Sequence, residues 1–366
     1  MRAANAIDFW RGVALLMIFI NHIPGNALGA YTLRNYAISD AAELFVFLAG
    51  WSLSYATGGP HHPEPFARSV FRLLSRALEL YRAQLVITML ALAFLASVAI
   101  YRNNPLFLEW HNAASAFYDP IRTMIGIVLL THQLGYFNIL PLYVVLLLFA
   151  PFVVFLARWR WWLALLLSLA IYLFALVTWT TLPNWPAEEV WYFNPLSWQI
   201  LLVLGFLSAD LAHSSVTFRQ ITRKLVPLAW LVAGIGAYVM LNQLWPDPMQ
   251  VPEPRLLFLF DKTYLSPARI ISLVAIAVAF YPVFKYIERP LGPFTTLMCS
   301  FGRNSLPVFC VGSLLSLIGQ VLRAINEESL LLDVVVVLCG VAFMGFTAWF
   351  VEWRSRMPGL AASRAS

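Results

Sequence analysis

Ten runs of mostly apolar residues, each near the length of a membrane crossing, take up most of this 366-residue chain and leave little else to fold. They fall at about 8–23, 41–56, 82–100, 138–157, 161–180, 197–213, 225–244, 267–286, 304–322 and 331–352. A helix of ~20 apolar residues crosses the ~30 Å hydrocarbon core. Inside lipid a helix satisfies its own backbone hydrogen bonds, so these runs predict helices. A further piece, Ile121 to Leu134, is too short to cross comfortably and reads as a half-helix lying in or dipping into the membrane. No soluble linker and no clear repeat divides the chain. The expectation is an all-α polytopic membrane protein built as one integral membrane domain, residues 1–366.

Composition supports this. Only 11% of residues are charged and the mean hydropathy is +0.75, against ~25% charged in a soluble domain. The net charge of +6 does not point to nucleic acid, because the basic residues sit in loops between apolar runs. Those loops alternate. One set holds Arg2, Arg11, Arg68, Arg72, Arg76, Arg82, Arg158, Arg160, Arg219, Arg223, Lys224, Lys285, Arg289, Arg303, Arg354, Arg356 and Arg364. The other holds only Arg34, Arg102, Arg122, Arg255, Lys262, Arg269 and Arg323. The positive-inside rule places the first set, and with it both termini, in the cytoplasm. Cys299, Cys310 and Cys339 are odd in number, lack metal spacing and read as small buried residues. Asp8 and the Asn21-His22 pair argue against a cleaved signal peptide.

Three stretches carry polar groups where chemistry needs them. The first span holds Arg11 near one end and His22 near the other. Eleven residues is about three helical turns, so both lie on one stripe ~16 Å apart along the axis. An ionisable group in a span is a functional candidate, although a histidine at headgroup level is equally an inert one. The second span opens with Asp40 and Glu43. They suit a capping box, or a carboxylate that orients a protonated His22. Arg68, Arg72 and Arg76 follow at four-residue steps on one helical face. They form either an anion clamp or a lipid-binding interfacial helix. Beyond them, Thr131-His132-Gln133-Leu-Gly135-Tyr136-Phe137-Asn138, followed by Pro141 and Tyr143, mixes hydrogen-bonding groups with aromatic rings. That mixture suits a sugar or an interfacial aromatic anchor.

At these same residues the sequence resembles the OpgC family. These are integral membrane proteins of Gram-negative bacteria that succinylate osmoregulated periplasmic glucans, within the wider acyltransferase family 3. The resemblance lies in Asp8-Phe-Trp-Arg11-Gly, Phe19-Ile-Asn21-His22-Ile-Pro24-Gly-Asn26, Thr32-Leu-Arg34-Asn35, Ser39-Asp40-Ala-Ala-Glu43 through Gly50, and Ile139-Leu-Pro141-Leu-Tyr143. The wider family's basic residue and histidine in the first helix match Arg11 and His22. Its loop arginines match Arg72 and Arg76, at wider spacing than the family's Arg-x-x-Arg.

The resemblance implies ten spans and transfer of a succinyl group from cytoplasmic succinyl-CoA to a glucan hydroxyl in the periplasm, at the bacterial inner membrane. It implies His22 as the base, oriented by Glu43, with Arg11, Arg68, Arg72 and Arg76 on the CoA. Asn21, Asn26, Arg34, Asp40, His132, Asn138 and Tyr143 are then the acceptor and acyl contacts. Asn21 or Asn26 is the candidate oxyanion donor, and Arg34 or Arg122 the candidate partner for the succinyl carboxylate. Succinyl-CoA, the glucan and membrane lipids are the expected partners. No metal, permanently bound cofactor or nucleic acid is expected. The rival readings are an O-acetyltransferase acting on another envelope glycan, and a transporter of glucan or acyl groups. A transporter calls for matched broken helices, and the sequence shows none.

Overall fold

A computed structural model describes residues 5–58, 64–186 and 189–357. Arg2 and Arg364 lie outside them. The helices are α1 (Ala6–Asn21), α2 (Ala41–Ala56), α3 (Phe66–Arg102), the short α4 (Ala114–Tyr118) and α5 (Pro120–Val128), α6 (Ile139–Trp159), α7 (Trp161–Thr178), α8 (Pro195–Ser214), α9 (Val216–Leu241), α10 (Pro267–Phe280), the single turn α11 (Phe284–Ile287), α12 (Gly292–Arg303), α13 (Ser305–Ile325) and α14 (Leu330–Ser355). Among the described residues the only strand pairing is a two-residue antiparallel bridge, Pro183–Asn184 with Glu189–Val190. Among the described residues eight helical segments are long and apolar enough to cross a membrane, with Pro267–Ile287 (α10 through α11) counted as one, and α2 is a shorter apolar one. Each of the ten expected spans coincides with a helix, and the protein is an all-α polytopic membrane protein.

Burial separates centre from rim. The apolar stretch of α8 is 72% buried and that of α6 61%, whereas that of α9 is 11% and that of α14 22%. A helix apolar all round and buried lies at the core of a bundle, while one with an exposed apolar face meets lipid. Residues 41–48 of α2 are buried without a break.

Glycines let the central helices touch. A methyl group on Gly12 would overlap the Met298 carbonyl, and one on Gly302 the Asp8 carbonyl, so α1 and α12 cross backbone to backbone. Gly50 against Leu202 and Gly205 against Phe47 do the same for α2 and α8. Without a hydrophobic driving force between helices in lipid, such close approach supplies the dispersion contacts that hold them.

Three features depart from the sequence reading. The arginine segment is not separate from the third span, because α3 runs unbroken for 37 residues, ~55 Å at 1.5 Å per residue. That exceeds the hydrocarbon core, so the helix is longer than one crossing needs, and its arginines precede the expected span at 82–100. Of the piece 121–134, only the part up to Val128 is helical. Helix α12 was not expected, since its 12 residues mix apolar side chains with Thr, Ser and Gly.

Candidate active site

The first span ends where its sequence requires. His22 caps α1, its N–H reaching the Ile18 carbonyl at 3.0 Å. Pro24 has no N–H to continue the helix. Gly25 follows at φ +75°, a left-handed conformation open to glycine. The turn is then pinned from outside α1. Arg323 donates to the Gly25 carbonyl at 2.9 Å and pairs with the buried Asp333, which accepts from the Ala27 N–H at 2.8 Å. Thr32 Oγ1 donates to Asn21 Oδ1 at 2.6 Å and folds the loop back over the helix end.

The second span begins beside it with a complete capping box. Asp40 Oδ1 accepts from the Ala42 N–H at 2.8 Å, and Glu43 Oε2 accepts from the Asp40 N–H at 3.1 Å. The ends of α1 and α2 meet at a cavity of about 660 Å³. His22, Asn21, Arg34, Asp40 and Asn138 line it, as do Tyr136, Tyr192, Gln243, Trp245, Lys262 and Arg269.

Its floor is a charge quartet. Glu43 is fully buried, and its Oε1 accepts from Arg269 Nε at 2.5 Å. A second Arg269 nitrogen lies 3.9 Å from Asp40. Lys262 forms an ion pair with Asp40 and lies 5.6 Å from the Phe193 ring centroid and 5.8 Å from that of Tyr192. Burial alone would raise the Asp40 carboxyl, but Lys262 outweighs it, aided by the Glu43 contact and Arg269, and holds it well below the usual range. Burial likewise opposes the Lys262 ammonium, yet Asp40 and Glu43 raise it above its usual value. Both groups are charged at neutral pH.

His22 stands above this floor against an aromatic wall. Its ring centroid is 4.8 Å from that of Tyr136, which lies 5.2 Å from that of His111. His111, Asn112 and Tyr136 have φ of 58°, 61° and 66°. Left-handed non-glycine residues are uncommon and cluster at functional sites. His111 Nε2 lies 2.6 Å from Gln320 Oε1, while Gln320 Nε2 donates to the His22 carbonyl. The amide oxygen of Gln320 therefore accepts from His111, whose proton sits on Nε2. Burial pushes His111 below its ordinary value and favours this neutral form.

Several of the sequence candidates lie elsewhere. Glu43 makes no hydrogen bond to His22 among the described residues and serves Arg269 and the α2 cap instead. Asn26 does not line the cavity; it is buried and accepts from the Leu28 N–H. His132 is buried, with Nε2 3.1 Å from the Asn112 carbonyl. Tyr143 lies deeper, its hydroxyl buried and its ring centroid 5.6 Å from that of Phe45. Arg122 is exposed and 3.8 Å from Asp119, away from the cavity, whereas Arg34 lines it with no ion pair among the described residues.

At the other end of the bundle, Arg11 donates to the Leu48 carbonyl at 3.1 Å and to Ser52. It also reaches the Gly302 carbonyl at 3.4 Å, joining α1, α2 and α12. Arg68 and Arg72 are exposed and Arg76 half-buried. Arg72 pairs with Glu64 at 3.0 Å and Arg76 with Glu79 at 2.6 Å.

Sequence reasoning did not single out Lys262, Arg269 or Gln320. Two of them had a signal: Lys262 and Arg269 are cations on the cation-poor side of the topology, opposite two acids at 40 and 43.

The family model described as OpgC protein matches residues 3–356, nearly the whole chain. No curated protein matches it.

Proposed function

Because the chain belongs to the OpgC family, whose members are glucan-modifying membrane acyltransferases, we propose that it moves a succinyl group from cytoplasmic succinyl-CoA to glucose hydroxyls of periplasmic glucans at the inner membrane. The observation that carries this reading is His22 at the end of α1, bordering a cavity of about 660 Å³ walled by Tyr136, Tyr192, Trp245, Asn138 and Gln243. Rings and amide side chains together suit a sugar, which has apolar faces and hydroxyl edges.

In this mechanism His22 Nε2 takes the proton of the attacking glucan hydroxyl. The sugar oxygen bonds to the thioester carbonyl carbon, the carbon–sulfur bond breaks, and the CoA thiolate receives that proton. Asn21, on the cavity wall, is the donor for the developing oxyanion. Arg34 meets the free carboxylate of the succinyl group, since among the described residues it is the wall cation without an acidic partner. Glu43 acts on the site indirectly: it holds Arg269 and the α2 terminus, and through them Asp40 and Lys262. The arginines of α3 take the CoA phosphates on the cytoplasmic side.

The test is mass spectrometry of glucans from a strain lacking the gene and from the same strain with the gene restored. Loss of a succinyl mass supports the proposal. Loss of an acetyl mass would make the protein an O-acetyltransferase, and unmodified glucans in both strains would favour transport.

A further inference from the structure

The last turn of α1 faces a polar stripe on α13. Ser313, Ser316 and Gln320 are spaced three and four residues apart and share one helical face. Two of them serve α1 carbonyls. Ile23 turns its N–H to Ile20, which leaves the Phe19 carbonyl without its helical donor, and the Ser316 hydroxyl lies 3.1 Å from it, shared with the Gly312 carbonyl at 2.8 Å. Gln320 donates to the His22 carbonyl.

Ser313 does neither. Its residue is 5% exposed, and its Oγ is buried with no hydrogen-bond partner among the described residues. The Nδ1 of His22 is likewise buried and without a partner among them. Both residues line one void of about 10 Å³, otherwise walled by apolar groups such as Leu15, Ile18, Phe309 and Met344. A water molecule needs ~10–15 Å³ of such space and two to four polar partners. Two residues that each carry a buried, unpartnered polar atom therefore line one void close to the size of a single water.

We infer that Ser313 is a positioning residue for His22, acting through a single water held in this void. The Nδ1–H of His22 donates to the water, and the Ser313 hydroxyl bonds to the same water. With the proton held on Nδ1, the lone pair is left on Nε2, the nitrogen that takes the hydroxyl proton in the mechanism above. A neutral imidazole with its proton on Nε2 has no lone pair there to accept with. The inference deepens the reading of His22 as the base and rests on it.

The test is nitrogen NMR of the full-length protein in detergent, with labelled histidine and a His22→Gln variant to identify the His22 signals. In the wild type His22 should show the tautomer protonated on Nδ1. Ser313→Ala should move it to a mixture of tautomers and lower turnover roughly tenfold, a fraction of the ~10²–10⁴-fold worth of a general base. The KM for acceptor should stay unchanged. Ser316→Ala, whose hydroxyl reaches only backbone carbonyls, of Phe19 and Gly312, should leave the His22 signals in place. An unchanged tautomer in Ser313→Ala overturns the inference, whatever the turnover. If Ser313→Ala does not yield folded protein, Ser313→Cys, with its weaker thiol donor, is read the same way. The spectrum decides the Ser313 contact even where His22→Ala turns out to retain activity, so the two claims fail separately.

Discussion

Two charged regions of this protein, at the cavity and on α3, are built on opposite principles. At the cavity, Glu43 is 0% and Arg269 8% exposed, and each finds its partner on another segment of the chain. On α3, Arg72 is 45% and Arg76 40% exposed, and each pairs with a glutamate a few residues away. Removing one member of a buried pair strands the other in a medium that cannot solvate it. Exposed pairs are screened and worth only ~0.2–1 kcal/mol each. The cavity quartet is therefore part of what fixes the fold. The α3 arginines can exchange Glu64 and Glu79 for a ligand's phosphates at little cost, as a site for a transient donor requires.

Six substitutions at five positions test this contrast. His22→Ala should show the largest effect, a ~10²–10⁴-fold fall in turnover with detergent stability near wild type, because the ring takes no part in the quartet. Turnover within a few-fold of wild type would remove His22 from the chemistry.

Arg269→Met should come next, as a folding defect. Stranding Glu43 should cost ~3–5 kcal/mol, read as lost monodisperse protein or a lowered Tm. Adding Glu43→Leu should recover much of that loss, since an apolar pair of similar volume is tolerated where a lone charge is not. A double variant as unstable as the single would mean that the quartet is not a closed unit.

Glu43→Gln should be milder. Glutamine still serves the capping box, but Arg269 loses its nearest charge, a charge-assisted bond worth ~1.5–3 kcal/mol. Stability should fall along with turnover. A fall in turnover alone, at wild-type Tm, would restore a direct role for Glu43 at His22.

The smallest effects should belong to Arg72→Ala and Arg76→Ala. Each should leave stability within ~1 kcal/mol and weaken succinyl-CoA binding by up to about tenfold, ~1.4 kcal/mol. The weakening should shrink as salt rises, and the acceptor KM should not move. Equal donor affinity in wild type and both variants, with activity that follows anionic lipid content, would make this face a lipid contact.

The amino-acid sequence determined the parts of the protein that depend on local pattern. Apolar runs located a helix at each of the ten expected positions, eight of them long and apolar enough to cross a membrane, because a backbone in lipid must satisfy itself within each segment. The Asp40–Glu43 spacing announced the capping box, because a cap closes within one turn. The Arg11–His22 stripe marked the helix that brings His22 to the cavity. Pattern alone could not show that α3 continues through its arginines, since charged and apolar turns are equally helical and only the absence of a breaker joins them. Tertiary structure decided which charges meet. Glu43 could have faced His22 or Arg269, and nothing within one turn distinguishes a partner 226 positions away. The packing of α10, which carries Arg269, against α2 settles that choice. The stripe on α13 that touches His22 is likewise a matter of packing, because Ser313, Ser316 and Gln320 acquire their roles only when α1 ends against them.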